Sequence, residues 1–293
     1  MLASCSQQGA MLSDEERARR DSLALPVGVI PCADCLPIYY AQQMGLFDSA
    51  GVYVRLVEYQ SQMDLDTAIM GKHVDLAYTD LPRTIEMAER GCSLDIVGQL
   101  PGVLHLVGAR TKRIRNLKQL NERMVAVDRL SNADYWSDQL MSYAGLDREA
   151  IFRPQVNDLQ LRLTMLTSQL VDAALLPEPY ASVAALRGQK PLWHTPDSGL
   201  HLACLVMPTS LQGDTLRTRQ RDLFLQVYDV AAARILDTAT PRDSIAALLH
   251  RHYGIDREMA DTLRLKGISS LLPADEATKQ EISVWSANRK KVK

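Results

Sequence analysis

The sequence predicts an α/β chain built as two lobes, with two strands crossing between them and a helical C-terminal region. Three observations carry this. Short apolar runs of strand length alternate with helical segments, the pattern of parallel βαβ units covered on both faces. The alternation pauses at a basic stretch, Arg110 to Lys118, and then restarts. Beyond Met207 every periodic segment is helical. The 293 residues suit two domains of roughly 100–200 residues each.

The elements follow in order. Leu25 to Ile30 is a short apolar run fit for a buried strand. Leu36 to Met44 reads as a helix, with Pro37 suited to its first turn and Gly45 to its stop. Val52 to Val57 is rich in β-formers. Met63 to Met70 is a helix ended by Gly71, Val74 to Tyr78 a strand, Leu81 to Arg90 a helix closed by Gly91, and Leu94 to Gln99 a strand. After Val103 to Ala109, strands are expected at Met124 to Val127, Ile151 to Arg153, Asp172 to Leu176, Leu192 to His194 and Leu200 to Met207. Helices are expected at Asp134 to Tyr143, Asp158 to Gln169 and Pro179 to Arg187. Four more are expected at Thr215 to Asp237, Pro241 to His252, Arg257 to Arg264 and Ala274 to Ala287. The strands near 103–109 and 200–207 flank an inserted α/β unit, so lobe 1 takes residues 25–105 and 205–293 and lobe 2 residues 106–204. A cleft between lobes joined in this way is a natural ligand site, and closure is a hinge motion.

Composition excludes several classes. Lysine plus arginine total 33 against 35 acids, a net charge of −2, which argues against a nucleic-acid partner. Apolar residues at 46 % exclude a disordered chain. No stretch approaches the ~20 apolar residues that cross a bilayer. Five cysteines are too few for a disulfide scaffold of this size. No Gly-x-Ser-x-Gly, His-Glu-x-x-His or phosphate-loop motif occurs. Cys32-Ala33-Asp34-Cys35 has Cys-x-x-Cys spacing without a second pair; a local disulfide or cleft-lining thiols is expected, with metal binding or redox catalysis as alternatives. Lys72-His73 sits before a strand and reads as a solvated turn.

Leu2-Ala3-Ser4-Cys5 resembles the lipobox at which bacterial lipoprotein signals are cut and the cysteine acylated. Only four residues precede Cys5, which places the start inside the signal. Ser6 to Ala24 is polar and charged and reads as a flexible leash, or at most a solvated helical turn, so residues 1–24 form a tether hung from a membrane by lipid on Cys5.

The ordered motifs from Pro31 onward resemble periplasmic solute-binding proteins of ABC importers, type II. The branch is that of binders of aliphatic sulfonates, taurine, nitrate and thiamine-pyrimidine precursors. The motifs are a helix ending in Gly45-Leu46-Phe47, a strand with a polar loop at Glu58-Tyr59-Gln60-Ser61, then Gly71 with Val74-Asp75 before a strand, and Asp172-Ala173-Ala174-Leu175-Leu176-Pro177-Glu178-Pro179-Tyr180. The resemblance implies a two-lobed binding-protein fold. It also implies a lipid-anchored, periplasmic or cell-surface monomer that passes a small ligand to a permease and its ATPase, with no covalent chemistry and no cofactor. The alternative is an enzyme on the same scaffold, a pyrimidine-precursor synthase or a menaquinone-pathway type.

In open α/β sheets ligands sit beyond the carboxyl ends of the strands, where loops offer helix N-termini. That rule selects Asp34, Cys35, Gln60, Ser61, Tyr78, Thr79, Asp80, His105, Ser131, Asn132, Tyr135 and Glu178 as ligand-binding candidates. Ser131 and Asp134 have capping-box form, and Glu178 precedes Pro179 at a helix start. The acids Asp34, Asp80, Asp134 and Glu178 outnumber the basic candidates Arg83, Arg129 and His105. The balance leans toward a neutral or cationic heterocycle with hydrogen-bond donors rather than a bare sulfonate. Tyr39, Tyr78, Tyr135 and Trp136 could stack on a ring, although packing is expected of Tyr39 and Trp136.

Overall fold

A computed structural model describes residues 13–195 and 200–291; Cys5 and the proposed lipobox lie outside them. The strands are β1 (Leu25–Val29), β2 (Val54–Glu58), β3 (Leu76–Asp80), β4 (Leu94–Leu100), β5 (Leu104–Gly108), β6 (Val125–Ala126), β7 (Ala173–Pro177), β8 (Lys190–His194) and β9 (Ala203–Pro208). The helices are α1 (Asp14–Leu23), α2 (Leu36–Gln43), α3 (Leu46–Ser49), α4 (Gln62–Met70), α5 (Leu81–Glu89) and α6 (Asn132–Ala144). They continue with α7 (Leu159–Thr167), α8 (Tyr180–Leu186), α9 (Thr215–Leu236), α10 (Arg242–Tyr253), α11 (Arg257–Thr262) and α12 (Glu276–Lys291).

Two sheets form. The first runs β2-β1-β3-β9-β4, the second β6-β7-β5-β8. β1 is parallel to β2 and β3, whereas β9 is antiparallel to β3 and β4. Strands β1, β3 and β9 are buried on both faces, which explains why they read as unbroken apolar runs. Gly28 lets α4 lie close on β1, since a Cβ there would stand 2.3 Å from Leu65 Cδ1. The chain passes between sheets at residues 101–103, immediately before β5, and returns to the first sheet at β9. Each of those two strands pairs along its length within its own sheet.

Two elements differ from expectation. Residues 14–23 form a ten-residue helix rather than a leash or a single turn. Its N-terminus is closed by a Ser13–Glu16 capping box, and Arg20 lies 4.7 Å from the centre of the Tyr53 ring. At its other end Gln220 Nε2 donates to the Leu23 carbonyl at 2.7 Å. Caps and end anchors hold this helix, so no apolar stripe announces it. Ile151 to Arg153 is not a strand; Phe152 makes one isolated parallel bridge to Met124.

The C-terminal helix α12 packs on both halves. It contacts α5 beside the first sheet. Against α6, Trp285 Nε1 donates to Asp138 at 2.9 Å, Tyr135 bonds Glu281 and Arg289 pairs with Asp134. Among the described residues no helix is long and apolar enough to cross a membrane.

Candidate ligand-binding cleft

The carboxyl ends of β1 and β3, with the N-terminus of α4 beside them, face the N-terminus of α6 across the junction of the two sheets. Four segments build the wall. A tight helical turn, Ala33–Cys35, follows β1 and presents Asp34. The end of β3 supplies Tyr78 and Asp80, and Gln62 opens α4 behind its Ser61 cap. Asn132 opens α6 behind its Ser131 cap. Gly102, in the crossing segment, completes the corner at φ +59°; a Cβ there would stand 2.7 Å from Asn132 Nδ2 and 3.0 Å from Ala203. The cavity measures about 40 Å³, with Cys32, Ile30, Leu104, Leu159 and Pro177 as its less polar lining.

The two halves meet around it. Asn132 N–H donates to Asp80 Oδ2 at 3.0 Å, and Ala33 N–H donates to the Glu178 carbonyl at 2.8 Å. Arg83 reaches the Arg129 carbonyl at 3.2 Å, and Ser61 pairs with Asp158 in an isolated bridge. The structure is therefore a closed form.

Charge is distributed unevenly. Arg83 pairs with Asp66 at 2.6 Å and Asp128 at 3.4 Å; Arg162 pairs with Asp128 at 2.9 Å. Burial pushes Asp128 up, but Arg162 and Arg83 outweigh it and its pKa lies below the usual carboxylate range. Among the described residues no cation pairs with Asp34. Burial raises its pKa to about 7, only partly offset by the Tyr78 hydroxyl, which donates at 3.0 Å, and by the Gly102 amide. Asp80 also rises to about 7, first by burial and then by the Asp128 charge, against the pull of Arg83.

Of the residues expected from sequence, Asp34, Tyr78, Asp80 and Asn132 line the cavity. Cys35, Thr79 and Ser131 are fully buried and stand behind it. Ser61 is spent on capping α4, accepting from Asp64 N–H at 3.2 Å, and Gln60 is exposed at its edge. His105 and Glu178 face each other at 3.1 Å away from the cavity, and Ser182 also donates to that carboxylate. Tyr135 is turned away, because α6 presents it to Glu281 and the Trp136 and Trp285 rings. Tyr39 stacks on His252 at 4.3 Å, and Trp136 is buried in the second core, as packing residues. Cys32 and Cys35 are free thiols, buried in or beside the cavity. Lys72 and His73 occupy an exposed turn before β3, at the end of the sheet opposite the cavity. Among the described residues no group of three or more His, Cys, Asp or Glu is placed to hold a metal ion.

Sequence reasoning missed Gln62, Gly102, Asp128 and Arg162. A signal existed for Arg162: it lies three residues after Leu159 and four before Leu166, a charge inside the apolar stripe of α7.

Several solved structures share this architecture. The alkanesulfonate-binding protein SsuA from Xanthomonas axonopodis pv. citri, bound to MOPS, superposes with a TM-score of 0.77 at 17 % identity, over 91 % of this chain and 93 % of that one. SsuA from Escherichia coli, an aliphatic-sulphonate-binding protein, gives 0.72 at 18 % identity over 91 % and 92 %. The nitrate-binding protein NrtA from Synechocystis PCC 6803 gives 0.70 at 12 % identity over 89 % and 85 %. These likenesses establish the two-lobed periplasmic-binding-protein fold. No curated protein sequence matches the chain. The profile of NMT1/THI5-like proteins matches residues 33–190, from the Asp34 turn through the Glu178 loop and over more than half of the sequence, and the chain belongs to that family.

Proposed function

We propose that the protein is the substrate-binding component of an ABC importer. It captures a small polar ligand between lobes formed by residues 25–105 with 205–293 and by residues 106–204, then passes it to a permease and its ATPase. The observation that carries this reading is the cavity itself. It lies where strand ends and helix N-termini of both sheets meet, and polar groups from several separate segments converge on it. The neighbours named for binding alkanesulfonates and nitrate support a small-molecule cargo. Closure that hides the ligand is carried by the inter-sheet contacts of Asp80, Arg83, Ala33 and Ser61, which must part for it to enter. The ligand class includes small heterocycles and sulfonates, and the acids in the lining favour the former. The protein acts as a monomer on the periplasmic or outer face, held by lipid on Cys5.

Native mass spectrometry of the purified protein tests the reading, followed by thermal shift against pyrimidines of the thiamine pathway, riboflavin, taurine, alkanesulfonates and nitrate. A carried mass, or a melting rise that grows with ligand concentration, is expected. A covalent adduct of a pyridoxal cofactor on lysine would overturn it in favour of the enzyme. Cys5→Ser is expected to release the product of the full-length precursor from membranes; retention would remove the lipid anchor from the proposal.

A further inference from the structure

Part of the polar lining of the cavity is left without donors. Three buried side-chain atoms of its lining have no hydrogen-bond partner among the described residues: Asp34 Oδ1, Gln62 Oε1 and Asn132 Oδ1. The two amide oxygens are acceptors, and Asp34 Oδ1 becomes one when its carboxyl is ionised. The amide orientations are set by their other ends, which face acceptors: Asn132 Nδ2 donates to the Gly102 carbonyl at 2.8 Å. Gln62 Nε2 lies 3.1 Å from Asp66 Oδ1 and 3.3 Å from the Tyr78 carbonyl. Turning either amide over would set oxygen against oxygen. A buried acceptor without a donor costs about 1–3 kcal/mol, so three in one cavity point to a group that arrives with donors of its own.

The nearby donors are committed. Arg162 spends its guanidinium on Asp128 and on the carbonyls of Val156 and Leu175. Arg83 pairs with Asp66 and Asp128, and its unpartnered Nε points toward Asp80 at 4.0 Å. The Tyr78 hydroxyl already serves Asp34. Both arginines are matched chiefly by Asp66 and Asp128; Asp80 keeps the 4.0 Å approach of Arg83 Nε, and among the described residues no cation pairs with the Asp34 carboxyl.

We infer that the cavity selects a small cation bearing several N–H donors, an amine or amidine, with Asp34 as its counter-ion and Gln62 and Asn132 as its acceptors. The inference deepens the proposed function and rests on it. It also separates this chain from neighbours named for anions: a sulfonate or nitrate here would meet carboxyls with no unengaged guanidinium to offset them. A bound cation draws the proton off Asp34, so charge pairs with charge inside the closed cavity.

An isosteric series tests it: acetamidinium, acetamide and acetate, which share a shape and differ in charge, with methanesulfonate beside them. Binding is read by melting shift and by amide NMR shifts at residues lining the cavity. Acetamidinium is expected to bind at least about tenfold more tightly than acetamide, with acetate and methanesulfonate weaker still. Asp34→Asn is expected to bring acetamidinium and acetamide within about twofold, and Gln62→Met to weaken acetamidinium about threefold while the protein stays folded. Tighter binding of acetate or methanesulfonate overturns the cation assignment and leaves the binding-protein reading intact. Acetamidinium binding untouched by Asp34→Asn overturns it too, as does no acetamidinium binding at about 50 mM. The carried mass sought under the proposed function then decides that reading separately.

Discussion

Asp34 and Asp128 line the same cavity and are both buried, yet they sit in opposite electrostatic worlds. Asp128 lies between Arg83 and Arg162, and its pKa falls below the usual range although burial acts against it. Asp34 has a tyrosine hydroxyl and a backbone amide, and burial carries it to about 7. The first arrangement is complete without a ligand and joins the two halves. The second is incomplete, and its missing partner is a cation. Structure-holding and ligand-holding carboxylates can thus be told apart by whether the chain supplies the opposite charge.

The largest effect is expected on the complete side. Arg162→Met strips Asp128 of one cation and leaves the Val156 and Leu175 carbonyls unpaired, so chemical denaturation should show a loss of about 3–5 kcal/mol. A loss under about 1 kcal/mol would show that the pair is not structural.

Next comes the opposite outcome on the incomplete side. The folded pKa of Asp34 lies above its ordinary 3.8, so the folded protein holds a proton that the unfolded chain has released. Its contribution to stability therefore falls as pH rises from about 4 to 7, by at most ~4 kcal/mol. Asp34→Asn is expected to melt several degrees above the wild type at about pH 8 and close to it near pH 4, in ligand-free protein. The groups around it do not blur the window: burial raises Cys32, Tyr78 and Tyr228 well above their usual values, Cys35 is packed beside them, and Asp80, at about 7, is present in both proteins. A variant that melts lower throughout would show that the Asp34 charge is already matched.

These comparisons rest on groups that sequence reveals unequally. Strands β1, β3, β7 and β9 are legible because burial on both faces writes itself as an apolar run, and helix ends at Gly45 and Gly71 because the chain must stop there. Ligand-facing residues next to a strand end, such as Asp34, Tyr78 and Asp80, follow from the same logic. The pairings do not. Asp34 meets Tyr78 across 44 positions and Arg83 meets Asp128 across 45, and residue order carries no record of which charge meets which. Position along the chain puts Tyr135 and His105 near the site. The twist of α6 and the Glu178 partner decide their direction, and neither is local. Helix α1 was hidden because caps, not a buried stripe, hold it.

Smaller effects sharpen the contrast. Gly102→Ala forces a Cβ against Asn132 at a left-handed φ and is expected to weaken acetamidinium binding about tenfold with a stability loss near 1–3 kcal/mol. Unchanged titration by calorimetry would remove Asn132 from the site. Tyr78→Phe takes away the hydroxyl donor of Asp34 and should shift the pH midpoint of acetamidinium binding upward by about half a unit to one, with stability changed by about 1 kcal/mol or less. An unmoved midpoint would mean that the hydroxyl does not act on that carboxyl.

Carbon-detected NMR of the side-chain carboxyls, followed through a pH titration with and without acetamidinium, tests the central claim most directly. The expected result is an Asp34 midpoint near 7 in the free protein that drops on adding the cation, while the Asp128 midpoint stays under the ordinary carboxylate range in both. Two ordinary carboxylate midpoints, or an Asp34 midpoint that the cation leaves in place, would contradict it.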